Sequence, residues 1–214
     1  MTQTKACLFD LDGVIVDTAI YHFQAWRRLA NELGFDFTEH QNEQLKGISR
    51  MESLELILNW GNITLTETEK LDWATRKNSW YLDLVMQMTP NEVLEGVPEF
   101  LKSLQEQNIK IALGSASKNS KLILEKIQML HYFDAIIDGN NITKGKPNPQ
   151  VFLLGAEATN TQPAECVVFE DAVAGVQAGK AAGMTVVGVG SPEILTEADI
   201  VITSFKEMSV DRLP

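Results

Sequence analysis

Cysteine, histidine and long apolar runs are all scarce in this chain of 214 residues. The two cysteines, Cys7 and Cys166, lie far apart within apolar runs, which is typical of small buried side chains and not of a disulfide framework or a zinc site. The longest stretch without a charged residue, from Ala181 to Pro192, is shorter than the ~18–20 apolar residues that a membrane span requires. The short apolar run before Asp10 does not resemble a signal peptide. We therefore expect a cytoplasmic protein that does not enter a membrane.

Positively charged residues are also few. The chain has 18 lysines and arginines and 29 aspartates and glutamates, which gives a net charge of −11. An acidic chain is a poor partner for nucleic acid. With 44% hydrophobic and 22% charged residues, the composition is that of an ordinary globular protein. No apolar stripe stands out as a dimer surface, so we expect a monomer.

Hydrophobic periodicity predicts two kinds of segment. A buried strand at 6–9 is followed by helical spacing at 20–33, 51–58 and 71–88. From Val93 onwards, helices alternate with apolar runs rich in β-branched residues, which predicts a parallel sheet with helices on both faces. The predicted helices are 97–107, 119–130, 149–159 and 173–182, and the predicted strands are 109–113, 135–137, 166–169, 185–189 and 200–202.

The fold class that follows is α/β, a doubly wound, Rossmann-like parallel sheet with an inserted all-α helical cap. The expected core comprises residues 1–15 and 93–214, and the expected cap comprises residues 16–92. The chain would cross between them near 14–17 and 91–96, which are the expected hinges.

Reactive polar groups follow several of the predicted strands. Asp10 and Asp12 follow the first strand, Ser115 follows the next strand of the core, and Glu170 and Asp171 end a later one. Lys146 lies in the loop before that later strand. Because ligands of open parallel sheets bind at the carboxyl ends of the strands, we expect these groups on one rim. Clustered carboxylates form the oxygen-only kind of site that Mg²⁺ prefers.

Other motif chemistries are excluded. In Asp10-Leu11-Asp12-Gly13 the glycine is at the fourth position, whereas a calcium-binding EF-hand loop needs it at the sixth. The segment 188–190 lacks the third glycine of a dinucleotide fingerprint and does not follow the first strand. The chain also has no Gly-x-Ser-x-Gly nucleophile elbow and no P-loop lysine.

Attack of a carboxylate on a phosphate ester explains why acids and a lysine would share this rim. A monoanion at ~4 Å from a dianion is repelled by roughly 8 kcal/mol at an effective dielectric constant of ~20. A bridging Mg²⁺ and Lys146 would offset that repulsion, and Ser115 is a neutral donor. A second acid that protonates the leaving oxygen and deprotonates the acceptor hydroxyl fits Asp12.

These motifs, in this order along the chain, resemble the four motifs of the haloacid dehalogenase superfamily. The segments 17–26, 42–50, 76–78 and 115–119 are similar to the beta-phosphoglucomutase family within it. That resemblance implies Mg²⁺-dependent interconversion of beta-glucose 1-phosphate and glucose 6-phosphate through an aspartyl-phosphate and beta-glucose 1,6-bisphosphate. Small sugar phosphates would be the partners.

The resemblance also implies a role for each matching residue. Asp10 would be the nucleophile and Asp12 the general acid and base. The metal would be held by Asp10, the backbone oxygen of Asp12, Glu170 and Asp171. The transferred phosphate would be bound by Ser115, Ala116 and Lys146, and the other phosphate by Arg50, Ser117 and Asn119. The residues that would line the sugar site or position Asp12 are His22, Lys46, Gly47, Ser53 and Lys77, and Trp26 would also bind the substrate.

Simpler interpretations compete with several of these roles. His22 fits a packing residue, Lys77 fits the solvated face of an amphipathic helix, and Trp26 fits the core of the cap better than it fits a sugar contact. A sugar-phosphate phosphatase would share every core residue and differ only in the cap. An inactive binding domain is the third alternative, although no nucleophile or metal ligand is missing.

Overall fold

The computed structural model describes residues 3–214 and contains six strands and eight α-helices within that range. The strands are β1 (Ala6–Phe9), β2 (Lys110–Gly114), β3 (Ala135–Ile137), β4 (Cys166–Glu170), β5 (Thr185–Val189) and β6 (Ile200–Ile202). The helices are α1 (Ala19–Glu32), α2 (Glu39–Glu43), α3 (Arg50–Trp60), α4 (Glu67–Val85), α5 (Val97–Glu106), α6 (Ser120–Lys126), α7 (Gln150–Ala158) and α8 (Val173–Ala181).

All six strands form one sheet in the order β3-β2-β1-β4-β5-β6, and every pairing is parallel. Successive side chains of β1 point to opposite faces of the sheet, as strand geometry requires. Cys7 and Phe9 pack on the face covered by α5 and α6, whereas Ala6 and Leu8 pack on the face covered by α7 and α8. Both faces of the sheet are therefore buried, which explains the unbroken apolar strands.

The first four helices form a separate apolar cluster of their own. Trp26, Leu29 and Phe37 pack there with Leu54 and Ile57. Capping boxes that begin at Thr38, Ser49 and Thr66 start α2, α3 and α4, each satisfying backbone N–H groups that a helix terminus leaves free. The α/β fold with a helical insert between β1 and β2 is thus confirmed.

The two chain segments that connect the insert to the sheet lie side by side. Val16 forms bridges with both Asp12 and Val93, and the N–H of Leu94 donates to the carbonyl of Ile15 at 3.0 Å. The insert is therefore attached through one narrow region beside the carboxyl end of β1.

One observed helix was not expected, and the boundaries of two others differ from those expected. The five-residue α2 has too few apolar positions for its period to be recognised. Helix α4 begins at Glu67, before the first apolar residue of its pattern, because Thr66 caps it. Helix α6 ends at Lys126 instead of 130, since Gln128 has a φ of 60°, and a 3₁₀ turn follows at Leu130–Tyr132. Among the described residues, no helix combines the length and apolarity needed to cross a membrane.

Candidate active site

The sheet topology creates a crevice at the carboxyl ends of β1 and β4. The chain runs from β1 to β2 and β3 on one side and then returns to β4 on the other, so the strand order reverses between these neighbours. Crevices at such reversal points are the usual ligand sites of open parallel sheets. Asp10 immediately follows β1, and its N–H donates to the carbonyl of Phe169 in β4 at 3.0 Å. Glu170 is the last residue of β4.

Three carboxylates meet at this crevice. Asp10, Glu170 and Asp171 each offer one oxygen, and these oxygens lie within 4.8 Å of one another. Lys146 Nζ lies 2.6 Å from Asp10 Oδ1 and also contacts Glu170. The other oxygen of Asp10 accepts the N–H of Asp12 at 3.1 Å. Both oxygens of the expected nucleophile are thus held by donors.

Burial makes this cluster electrostatically demanding. Burial and the neighbouring charge of Asp10 raise the pKa of Glu170 to about 7, against the opposing effect of Lys146. Burial, Glu170 and Asp10 raise the pKa of Asp171 well above its usual range. Although burial acts to lower it, the pKa of Lys146 is raised by Asp10 and Glu170. Three acids against one buried amine leave an excess of negative charge, so the all-oxygen donor set fits a hard divalent cation.

Two glycines permit the acids to occupy these positions. A Cβ atom at Gly13 would lie 2.2 Å from Asp171 Oδ2, and Gly13 has a φ of +79°. A Cβ atom at Gly175 in α8 would lie 1.9 Å from the carboxylate of Glu170. Each carboxylate therefore lies so close to the backbone of its glycine that a side chain at Gly13 or Gly175 would collide with it.

Gly13→Ala is predicted to displace Asp171 and to weaken divalent-metal binding. Disturbing a group that orients a metal ligand typically lowers affinity about 10–100-fold, and we expect a loss in that range for Mg²⁺ by isothermal titration calorimetry. Gly183→Ala is the matched control, because Gly183 has a similar φ of +74° with nothing within 4 Å of its Cβ position. Equal Mg²⁺ affinities in the two variants would contradict the prediction.

Asp12 lies beside the acid cluster but in a different environment. Strand β1 ends at Phe9, so Asp10 and Asp12 do not continue it as one extended strand. The carboxylate of Asp12 accepts a hydrogen bond from the Thr18 hydroxyl. Burial and the charge of Asp10 raise the pKa of Asp12 to about 7, although Thr18 opposes the shift. The two carboxyl groups face one cavity with different partners.

A cavity of about 1110 Å³ separates the sheet edge from the helical insert. The core contributes the expected Asp10, Asp12, Ser115 and Lys146, and Asp171 also lines the cavity, whereas Glu170 lies behind it. Other expected residues in the lining are His22, Trp26, Lys46, Gly47, Arg50, Ser53, Lys77, Ala116, Ser117 and Asn119. The structure thus brings the expected residues of the insert and the core to one place.

Sequence reasoning missed several residues that also line the cavity, namely Thr18, Asn78, Tyr81 and Lys118. Thr18, Asn78 and Lys118 lie inside segments that carry the family resemblance. Comparing those segments residue by residue would have identified them as site residues. Tyr81 lies one helical turn after Lys77, and that spacing was its only signal.

The buried Lys77 pairs with the partly buried His22 beside the cavity. Lys77 is 2% exposed, and its Nζ lies 3.0 Å from His22 Nδ1 and 4.1 Å from the ring centre of Trp26. Burial and Arg50 lower the pKa of Lys77 well below its usual range. Burial, Lys77 and Arg50 do the same to the pKa of His22. A solvated helix face is therefore the wrong description of Lys77.

The insert lies closed over the core. Lys46 Nζ lies 3.5 Å from Asp171 Oδ2, and the side-chain amide of Asn119 donates to Asn78 Oδ1 at 3.0 Å. A Cβ atom at Gly47 would lie 3.1 Å from the Cβ of Ala172. Contacts at three separate points thus hold the insert against the sheet edge.

Comparison with known proteins agrees with this geometry. The family model described as haloacid dehalogenase-like hydrolase matches residues 4–183. A beta-phosphoglucomutase of Bacillus subtilis is 43% identical over 98% of this chain and 93% of its own length. A phosphorylated carbohydrates phosphatase of Thermotoga maritima is 31% identical over 84% of this chain and 82% of its own length.

A solved structure shows the same likeness in three dimensions. The crystal structure of beta-phosphoglucomutase from Clostridium difficile superimposes with a TM-score of 0.95 at 43% identity, covering 98% of this chain and 95% of that one. The match includes the sheet and the helical insert together. The chain belongs to the haloacid dehalogenase superfamily and, within it, to the beta-phosphoglucomutase family.

Proposed function

We propose that this enzyme interconverts beta-D-glucose 1-phosphate and D-glucose 6-phosphate through an aspartyl-phosphate and beta-glucose 1,6-bisphosphate. The observation that carries the proposal is a single cavity that contains Asp10 with Lys146 on the core side and Arg50 on the insert. A bisphosphate needs one anion site at the reacting phosphate and another at the distal phosphate. Family membership supplies the reaction class, and the cavity accommodates both sites.

Asp10 would attack the phosphorus atom and carry the phosphoryl group. Lys146 and the N–H of Asp12 hold its oxygens, so its position is set before the substrate binds. Asp10, Glu170, Asp171 and the backbone oxygen of Asp12 would hold Mg²⁺, which when bound offsets the negative charge on the transferring oxygens. Ser115 and Ala116 would bind the same phosphate, while Ser117 and Asn119 would join Arg50 at the other.

Asp12 would move the proton. A pKa of about 7 keeps both protonation states populated at neutral pH, which suits a group that acts as acid in one half-reaction and base in the next. It would protonate the leaving oxygen when Asp10 is phosphorylated, and would remove a proton from the acceptor hydroxyl when the phosphoryl group leaves. Lys77 and His22 would line the sugar site beside it, with Trp26, Lys46, Gly47 and Ser53.

We further propose that residues 16–92 act as a cap that opens and closes against residues 1–15 and 93–214. The hinges would be near 14–17 and 91–96, where the two connecting segments lie together. Closure excludes water from a phosphorylated aspartate, which water would otherwise hydrolyse. Opening would let the bisphosphate reorient between the two half-reactions.

A sugar-phosphate phosphatase on the same scaffold is the second candidate, favoured by the Thermotoga maritima relative. The contacts of Lys46 and Asn78 with the core support the mutase, because water must be excluded there. An inactive binding domain would be expected to have lost an acid or Lys146, and the chain retains all of them.

We also propose that the enzyme acts as a monomer in the cytoplasm. Every residue assigned above to the substrate belongs to one chain, so no partner subunit is needed to complete the cavity. Sedimentation of the purified protein at assay concentration would test the oligomeric state.

A coupled assay tests the proposed function. Purified enzyme with Mg²⁺ and a bisphosphate primer should produce glucose 6-phosphate from the beta anomer of glucose 1-phosphate and not from the alpha anomer. Free phosphate is followed in parallel. Absence of glucose 6-phosphate would remove the mutase proposal, and phosphate release that outpaces isomerisation would establish the phosphatase instead.

Asp12→Asn is predicted to slow phosphoryl transfer to and from sugar hydroxyls about 10²–10⁴-fold, the usual contribution of a positioned acid or base. Mg²⁺ affinity should change little, because the proposed metal contact is the backbone oxygen. Rapid-quench kinetics measure the transfer, and calorimetry measures the metal affinity. A large loss of Mg²⁺ affinity would contradict the assigned role.

A further inference from the structure

Tyr81 is a buried residue of α4 with an unused polar atom. Its side chain is 1% exposed and follows Lys77 by one turn on the buried face of the helix. Within the part of the chain that the structure describes, its hydroxyl makes no hydrogen bond. Nearly all buried polar side-chain atoms in proteins have a partner, so an unpaired hydroxyl in such a place calls for an explanation.

The surroundings of the hydroxyl point to the substrate cavity. The ring of Tyr81 packs against His22 with the ring centres 4.3 Å apart, and Lys77 Nζ lies 4.9 Å from its ring centre. Thr18, which adjoins it, donates its own proton to Asp12. Tyr81 lines the cavity together with these residues, so its side chain lies beside any molecule bound there.

The chemistry of the position selects the kind of group that would bind. Burial and Asp12 raise the pKa of Tyr81 well above its usual range, so the phenol remains a neutral donor at neutral pH. Arg50 already supplies positive charge at this end of the cavity, which suits a phosphate. A neutral hydroxyl that both donates and accepts instead suits an uncharged alcohol.

We propose that Tyr81 is a substrate-binding residue whose hydroxyl forms a hydrogen bond with a ring hydroxyl of the bound sugar phosphate, on the side of the cavity shared by Asp12 and Arg50. The proposal rests on the function proposed above and assigns one further contact to that site. The substrate's alcohol would satisfy the polar atom that the folded chain leaves unpaired.

Tyr81→Phe removes the hydroxyl and retains the ring. We expect kcat/KM for beta-glucose 1-phosphate to fall about tenfold, the worth of one neutral hydrogen bond near the upper end of its range. The melting temperature should stay equal or rise, because an unpaired buried hydroxyl is lost. Tyr132→Phe, the same change outside the cavity lining, is the matched control and should change neither quantity. A lower melting temperature with unchanged kcat/KM would overturn the proposal.

Deoxy analogues identify the partner hydroxyl. The wild type is assayed with 2-deoxy, 3-deoxy and 4-deoxy forms of beta-glucose 1-phosphate, and Tyr81→Phe with the same set. For one analogue, we expect kcat/KM of the wild type to fall about tenfold relative to the full substrate. The kcat/KM of Tyr81→Phe should fall little further with that analogue, because each change removes the same hydrogen bond. Independent losses for all three analogues would overturn the proposal.

A binding measurement separates this proposal from the proposed function. Beta-glucose 1-phosphate with Mg²⁺ should raise the melting temperature of the wild type more than that of Tyr81→Phe, even if turnover is absent. Absence of glucose 6-phosphate formation by the wild type would count against the mutase alone. Equal thermal shifts in the two proteins would overturn the role of Tyr81 alone.

Discussion

Replacing Asp10 with asparagine should abolish formation of the phosphoenzyme and reduce mutase activity by ~10⁴-fold or more, as expected when a nucleophile is removed. The amide nitrogen and oxygen of asparagine are poor nucleophiles toward phosphorus. The proposed reaction has no other residue to carry the phosphoryl group. The measurement is transfer of labelled phosphate from the bisphosphate to the protein, together with formation of glucose 6-phosphate.

The fold of this variant should persist. The amide oxygen of asparagine can still accept from Lys146 or from the N–H of Asp12, and Glu170 remains as the charged partner of Lys146. Circular dichroism should therefore show a native spectrum. Asp17→Asn is the control, because Asp17 is an exposed acid at the rim of the same cavity that bonds the N–H of Ala19. Labelled phosphate trapped on Asp10→Asn would refute the role of Asp10.

The position of the site was predictable because a general rule of parallel sheets places the strand ends together. More than a hundred residues of sequence lie between Asp10 and Glu170, with Ser115 between them. Each of the three nevertheless follows or ends a strand of one sheet. Alternating apolar runs identify those strands with little ambiguity. The carboxyl ends of the strands then determine which residues can meet.

The environment of each group was less predictable. Periodicity assigns Lys77 to a helix, but whether that face meets solvent or a second domain depends on how the insert docks, which no local pattern encodes. The hydrogen bond from Thr18 to Asp12 likewise depends on the turn that follows β1. Tyr81 was missed for the same reason, since its ring belongs to an apolar stripe and only docking places its hydroxyl at the cavity.

The acids of this site have different partners. Asp10 and Glu170 share Lys146, whereas Asp12 is bonded by the neutral hydroxyl of Thr18. Lys146 acts to lower the pKa of Glu170 against the effects of burial and Asp10, which favours the ionised form that a metal ligand needs. A neutral donor leaves the pKa of Asp12 raised by burial and by Asp10, which suits proton transfer.

Lys146→Met should lower both activity and stability far more than the loss of an exposed lysine. The ammonium group is fully buried between Asp10 and Glu170, so its removal leaves two buried carboxylates without their cation. Breaking a buried pair in this way costs ~3–5 kcal/mol of unfolding free energy. We expect that loss in urea denaturation with EDTA present. Transfer should also slow, because the buried cation beside Asp10 then no longer offsets the charge of the phosphate.

Added Mg²⁺ distinguishes electrostatics from packing as the source of that loss. If the cost comes from uncompensated charge, a divalent cation bound by the same acids should restore part of the stability, and the deficit of Lys146→Met should be smaller in Mg²⁺ than in EDTA. Lys180→Met is the control, since Lys180 pairs with Asp199 at 2.6 Å with both side chains well exposed, and such pairs contribute ~1 kcal/mol or less. A deficit for Lys146→Met that is the same in EDTA and in Mg²⁺ would show that the lysine acts through packing instead of charge.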